Sequence, residues 1–298
     1  MSQWVYPAGS TADAEFDTRI LPGSAPAGSG IPGWAHTGLQ VSDLAAGESR
    51  RVETGDLEYI VVPLAGAANI EVEGRTFALA GRADVFSAAT DVLYVPRGSS
   101  FTLTSVAGGR YALCSATARA TRPAAYLAAA DVPDELRGAG AASRRVRNFG
   151  VPGVLDADSI IACEVITPAG NWSSYPPHKH DEEREGVETS LEEIYYFEVR
   201  TEPDAPLGGD AFGYQRVYGT PQRPIDVLAE VRSGDVVLVP HGWHGPAMAP
   251  PGYDMYYLNV MAGPGETRAW LICDDPAHAW VRQTWAGQAV DPRLATTE

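Results

Sequence analysis

The sequence predicts an all-β protein built from two similar barrels in tandem, and three observations carry that prediction. The 298 residues include 31 Gly and 23 Pro, and regular apolar helices are hard to find, so short strands and turns must organise the 45% hydrophobic content. Strand-length segments separated by turn residues fill most of the chain. One phrase also recurs. Asp91-Val-Leu-Tyr-Val-Pro96-Arg-Gly98 returns as Asp235-Val-Val-Leu-Val-Pro240-His-Gly242, an acid followed by four strand residues and a Pro-x-Gly turn. Upstream, Glu58-Tyr-Ile-Val-Val parallels Glu193-Ile-Tyr-Tyr-Phe in the same relative place, and duplication of one β-barrel unit explains both pairs economically.

In chain order, residues 1–33 are rich in Pro, Gly, Ser and Ala and read as an extended arm. Residues 34–122 form the first unit, with strands expected at 57–64, 68–72, 76–79, 91–95, 100–106 and 110–117. Residues 123–150 are polar and Ala-rich and read as an interdomain linker, in which Pro133-Asp-Glu-Leu-Arg137 could start one helical turn. Residues 151–298 form the second unit, with strands expected at 160–167, 192–200, 213–218, 226–231, 236–239 and 255–261.

The formal net charge of -16 repels a phosphate backbone and argues against nucleic acid as a partner, while leaving room for local arginines around a small anionic substrate. Cys114, Cys163 and Cys273 are odd in number and far apart, which supports neither a disulfide framework nor a cysteine zinc site. The N-terminus lacks a basic region followed by an apolar run, and no stretch approaches the roughly 20 apolar residues of a membrane span. A cytoplasmic protein with no membrane partner is expected.

The chemistry concentrates in the second unit. In Pro176-Pro-His178-Lys-His180, two histidines at i and i+2 on an extended segment point the same way, and Lys179 points the other. Glu193 opens the next strand, where a hairpin could bring its carboxylate beside the pair, and Glu192 competes for that role. His244 follows the Pro240-His-Gly242 turn, which could aim it back into a barrel. Four of the six histidines (His178, His180, His241 and His244) therefore fall in two short segments, while His36 and His278 read as structural. His178, His180, His244 and Glu193 suit a divalent first-row metal with positions left for water or substrate. Zinc is the first choice, and manganese, iron, cobalt and nickel are compatible.

These residues resemble the cupin superfamily, whose motifs combine His-x-His, a Glu, and a Pro-x-Gly turn followed by His. This chain departs in the longer loop, residues 181–192, between the histidine pair and Glu193, and in having one residue fewer between Gly242 and His244. A closer resemblance rests on Asn171-Trp-Ser-Ser-Tyr-Pro-Pro-His-Lys-His-Asp, Leu191-Glu-Glu-Ile-Tyr-Tyr, Gln215-Arg-Val-Tyr and Pro251-Gly-Tyr-Asp-Met-Tyr-Tyr-Leu-Asn-Val-Met-Ala-Gly. Together they look like the 5-deoxy-glucuronate isomerase family of myo-inositol catabolism, related to the 5-keto-4-deoxyuronate isomerases. The resemblance implies two jelly-roll (double-stranded β-helix) cupin barrels and an aldose–ketose isomerisation of 5-deoxy-D-glucuronate to 2-deoxy-5-keto-D-gluconate. The first barrel keeps Glu58 and the Pro96-Arg-Gly98 turn but lacks the histidines, so it is expected to be structural or to serve in a homo-oligomer. Glu193 and Tyr257 are candidate catalytic groups, and Arg216 is the first choice to meet the substrate carboxylate, with Lys179 turned away. Asn259 shares the face of Tyr257, and Asp254 lies on the opposite one. A cupin dioxygenase and a non-catalytic sugar-binding bicupin are the rival readings.

Overall fold

The computed structural model describes residues 3–23, 30–203, 205 and 209–294. After β1 (Val5–Tyr6), the first barrel is built from β2 (Thr18–Ile20), β3 (Thr37–Leu44), β4 (Ser49–Glu53), β5 (Leu57–Val72), β6 (Arg75–Arg82), β7 (Val92–Val95), β8 (Ser100–Ser105) and β9 (Gly109–Thr117). A crossing segment carries β10 (Ala125–Leu127), β11 (Asp134–Arg137) and β12 (Arg144–Gly150). The second barrel follows as β13 (Ile161–Thr167), β14 (Trp172–Ser173), β15 (His178–Lys179), β16 (Glu192–Thr201), β17 (Gly213–Tyr218), β18 (Asp226–Val231), β19 (Val236–Val239), β20 (Trp243–Met248) and β21 (Tyr253–Ala262). A short strand, β22 (Cys273–Asp274), and a 3-10 helix, Ala279–Trp285, come after it. No helix among the described residues is long and apolar enough to cross a membrane.

The two large sheets repeat one strand order. The first runs β10-β7-β5-β9-β3-β2 and the second β1-β19-β16-β21-β13-β12, extended by β11. The edge strands are exchanged. β1, from the N-terminal arm, pairs with β19 of the second barrel (Val5↔Val237), and β10 pairs with β7 of the first (Tyr126↔Leu93). Residues 123–150, expected as a linker, therefore contribute strands to both sheets. Pro133–Arg137 is not a helical turn. Asp134–Arg137 forms β11 and pairs with β12 (Glu135↔Val146), because an available sheet edge outweighs the weak helix preference of Glu-Leu-Arg.

Residues 59–64 of β5, 194–197 of β16 and 255–258 of β21 are buried on both faces, which is why they read as short apolar runs. Ile60, Val62 and Leu64 of β5 meet Ile194, Tyr196, Tyr256, Leu258 and Val260 in a core shared by the two barrels. Tyr59 and Val61 turn into the first barrel, and Tyr195, Phe197 and Tyr257 turn into the second. The shared core also contains an ionic cluster. Arg82 of β6 donates to both oxygens of Glu164 on β13 (2.8 and 2.7 Å), and Arg147 (3.0 Å) and the Tyr256 hydroxyl (3.0 Å) complete it. All of these groups are buried, so their mutual pairing offsets their desolvation.

The register also corrects one alignment. Tyr59 pairs with Val95 and Glu193 with Val239, the corresponding ends of the repeated Asp-to-Pro strand. Glu58 therefore matches Glu192, one residue before the expected partner, and Tyr59 occupies the place of Glu193. The two matched acids do the same job across the barrel interface. Glu58 accepts the backbone N–H groups of Asp158, Ser159 and Ile160 (2.8, 2.6 and 2.7 Å), just ahead of β13. Glu192 accepts those of Ala35, His36 and Thr37 at the start of β3.

Candidate metal centre

Period-two alternation on β16 sends Glu193 into the second barrel and Glu192 out toward the first. On β15 the same rule buries His178 and turns Lys179 outward, where its ammonium pairs with Asp181 (2.7 Å) and Glu188 (2.8 Å). The loop 181–188 closes on this lysine, and Glu188 is fully buried. Asp181 also accepts the Gly242 N–H (2.8 Å), tying that loop to the Pro240-His-Gly242 turn. Gly242 has φ +94, a left-handed conformation that lets the chain reverse and return His244 to the barrel. Gly245 has φ +109, and a Cβ there would stand 2.7 Å from the His178 ring, so only glycine admits that ring.

His178, His180 and His244 converge, with one ligand atom from each lying within 4.8 Å of the others. His180 Nε2 and His244 Nε2 are 3.1 Å apart, and Glu193 Oε2 stands 3.1 and 2.9 Å from them. Each Nδ1 faces a backbone carbonyl, that of Pro176 for His178 (3.4 Å), Leu191 for His180 (3.2 Å) and Gly242 for His244 (2.8 Å). With Nδ1–H donating outward, every Nε2 lone pair points to the common centre, as in a ligand set oriented by its outer partners. Ligands about 2.1 Å from one cation and at right angles to each other are ~3.0 Å apart, which is the spacing among His180, His244 and Glu193, with His178 completing the cluster within 4.8 Å. The residues fit a divalent cation.

Burial pushes His178 well below the usual imidazole range, and the other two histidines add to the effect. Burial also works against the His180 cation, but the hydrogen bond and charge of Glu193 hold that imidazole above its usual range. Burial opposes Glu193 ionisation too, yet hydrogen bonds with His180 and His244 bring its carboxyl down to about 2. The neutral His178 imidazole and the ionised Glu193 carboxylate are in the states a metal requires, and at His180 a bound cation would take the place of the proton that Glu193 favours.

Tyr257 is buried beside this cluster. Its hydroxyl and that of Ser174 are 2.8 Å apart, and its ring lies 5.1 Å from that of Tyr195, which in turn lies 6.3 Å from His244. Asn259 lies on the Tyr257 face and donates to the Ile194 carbonyl (3.4 Å), while Asp254 pairs with Arg200 on the other. Arg216 is misplaced as a carboxylate receptor. Gln215 and Val217 face the barrel interior, so Arg216 points outward, where it pairs with the exposed Asp226 and donates to the Val227 carbonyl (3.0 Å). The inward residue is Gln215, fully buried, with neither amide atom hydrogen-bonded among the described residues. Two further groups escaped the sequence reading, Tyr195 and Arg144, and strand parity alone would have placed Gln215 and Tyr195 inside.

In the first barrel, Tyr59 occupies the Glu193 position and Phe101 the His244 position, since Phe101 pairs with Val72 as His244 pairs with Val217. Their rings meet edge to face at 5.6 Å, filling with aromatic surface the space that holds polar ligands in the second barrel.

A family model, that of the KduI/IolB family, matches residues 11–281. The chain belongs to the KduI/IolB family. Relatives named 5-deoxy-glucuronate isomerase include that of Geobacillus kaustophilus, 41% identical over 286 residues, covering 95% of this chain and 97% of the relative. That of Bacillus subtilis (strain 168) is 40% identical over 245 residues, covering 82% and 86%. Among solved structures, an IolB-like protein from Salmonella typhimurium LT2 superposes with a TM-score of 0.81 at 34% identity, covering 93% of this chain and 98% of that one. An oxalate decarboxylase from Bacillus subtilis, at 11% identity and a TM-score of 0.55, shares the tandem cupin fold. The KduI/IolB chain is thus a bicupin.

Proposed function

We propose that the protein is a 5-deoxy-glucuronate isomerase, converting 5-deoxy-D-glucuronate to 2-deoxy-5-keto-D-gluconate at a divalent cation held by His178, His180, Glu193 and His244. The observation that carries this reading is the buried three-histidine, one-carboxylate cluster in a chain aligned almost end to end with relatives of that name. The three imidazoles and one carboxylate make zinc our first choice for the cation. When bound, the metal supplies Lewis acidity to the carbonyl and hydroxyl oxygens of the sugar.

The reaction moves hydrogen from the hydroxyl-bearing carbon to the adjacent aldehyde carbon, and we favour its transfer as a proton taken from one carbon and returned to the next over a metal-assisted hydride shift. Glu193, ionised and inside the barrel, is the acceptor we favour. The Tyr257 hydroxyl, whose pKa burial raises, stays neutral and serves as a donor to developing oxygen charge, oriented by Ser174. The apolar walls around Tyr195, Phe197 and Val217 exclude water from the exchange.

The test is an anaerobic incubation with 5-deoxy-D-glucuronate, followed by NMR. The expected result is the ketose without oxygen, abolished by a chelator and restored by divalent metal. Product formed only with oxygen uptake, or no turnover by metal-replete protein, overturns the reading.

A further inference from the structure

Among the described residues, the buried arginines Arg82 and Arg147 and the half-buried Arg268 are matched, and Arg144 is not. Arg82 and Arg147 share Glu164, and Arg268 donates to the carbonyls of Gly150, Leu155 and Ile160. Arg144 is 7% exposed, and among the described residues no carboxylate stands within salt-bridge distance of it. One of its nitrogens donates to the Ala142 carbonyl (3.1 Å), and its guanidinium lies over the Trp285 ring at 5.7 Å. The charged neighbours that act on it, Arg137 and Arg282, are of the same sign. Burying a cation in this way is costly, and the described residues supply no anion to offset it.

Its position gives the buried charge a use. Arg145 and Arg147 of β12 reach Asp134 and Glu164, whereas Arg144 shares the parity of Val146, which packs inside the second barrel. Tyr257 is its electrostatic neighbour there. The line then continues through Tyr195 to His244 by the ring contacts already described. Arg144 thus shares the second-barrel side of β12 with Val146, in electrostatic reach of Tyr257 and the ring path to the histidines. A 5-deoxyuronate reacts at C1 and C2 and carries its carboxylate at the other end of the chain. A receptor for that carboxylate is needed apart from the histidine cluster, and the guanidinium fork of Arg144 matches it with two parallel hydrogen bonds.

We propose that Arg144 binds the substrate carboxylate and fixes the far end of the sugar acid while its aldehyde end faces His178, His180 and His244. This rests on the isomerase reading. The test compares 5-deoxy-D-glucuronate with 5-deoxy-D-glucose, which has an alcohol in place of the carboxylate. Arg144→Met is expected to raise KM for the acid by roughly 10- to 150-fold, the loss for a hydrogen bond to a charged group, and to leave kcat/KM for the alcohol within about twofold. Arg144→Lys, which keeps the charge without the fork, is expected to fall between wild type and Met, and it decides the matter if the Met variant does not fold.

A second readout needs no turnover. Calorimetry with the borohydride-reduced substrate, which keeps the carboxylate and lacks the aldehyde, is expected to show binding to wild type that the variants lose. Equal losses on acid and alcohol, marking a merely structural arginine, overturn the proposal, and so does unchanged affinity for the reduced acid. If wild type turns over neither sugar, the isomerase reading fails by itself, and the calorimetry still decides whether Arg144 binds carboxylate.

Discussion

Glu192→Ala and Glu193→Ala change neighbouring residues with opposite expected results, because strand parity sends one carboxylate to the barrel interface and the other to the histidines. Glu192 accepts three backbone N–H groups, those of Ala35, His36 and Thr37, together with the Thr37 hydroxyl at 3.1 Å. Removing it leaves the Thr37 N–H and hydroxyl buried and unpaired, at about 1–3 kcal/mol each, while the N–H groups of Ala35 and His36 lie nearer the surface and cost less. Burial raises the pKa of this carboxyl, so the wild type carries a desolvation cost that the alanine variant relieves in part. The net loss is about 4 kcal/mol. Unfolding entropy near 2.1 cal/mol/K per residue over 298 residues converts this to a fall in Tm of roughly 6 °C. Glu193→Ala removes no interface bond but leaves His180 and His244 without their carboxylate partner, at about 1 kcal/mol each, so its Tm without metal falls by roughly 3 °C, about half the fall of Glu192→Ala. Its metal affinity falls at least 10- to 100-fold, a range already reached by loss of outer-shell partners. Scanning calorimetry of chelator-treated proteins and metal analysis after dialysis measure both effects. A Glu192→Ala protein that keeps its Tm and loses metal, beside a Glu193→Ala protein that keeps metal, refutes the reasoning.

Glu164 gives a pH-dependent test of the interface between the barrels. Burial raises its pKa, but Arg82 and Arg147 outweigh that and hold the folded-state value below the ordinary carboxylate range. Its stabilisation is therefore complete above about pH 4.5 and is lost as pH falls through the depressed folded value. Glu164→Gln should lower Tm at pH 7, by the equivalent of about 3–5 kcal/mol, and flatten the acid side of the Tm–pH curve. Tyr257→Phe deletes one hydroxyl and no packing, so kcat should fall roughly 10- to 100-fold with metal content unchanged, as checked by steady-state kinetics and metal analysis. Gln215→Leu replaces a buried amide lacking protein partners with an apolar side chain, so Tm should rise by about 1–3 °C while KM increases. Thermal melts and kinetics on one preparation measure both.

Parts of this architecture can be read from the sequence because they depend on local rules. The Pro-x-Gly turns are visible because the reversal at Gly98 and Gly242 needs left-handed backbone, with φ +70 and +94. The convergence of His178 and His180 follows from two-residue alternation. Other parts depend on register, which no single segment carries. The one-residue offset between Glu58 and Glu193 appears only when Tyr59↔Val95 is laid beside Glu193↔Val239. Arg216 was chosen for its charge, when counting from Val217 would have sent Gln215 inward instead. Strands β10 and β11 are three and four residues long and pair at sheet edges, so their polar composition resembled a connection. The exchange of β1 and β10 between barrels is set entirely by tertiary contacts.

The central claim is isomerisation at one metal centre in the second barrel, and the measurement that tests it most directly is turnover of 5-deoxy-D-glucuronate by His178→Ala and His244→Ala proteins, with metal per chain measured on the same samples. The account predicts about one metal per wild-type chain, and for each variant a folded protein with little bound metal and turnover reduced by three orders of magnitude or more, roughly the scale lost when a catalytic centre is removed. Folded variants that keep full turnover without the metal would contradict it.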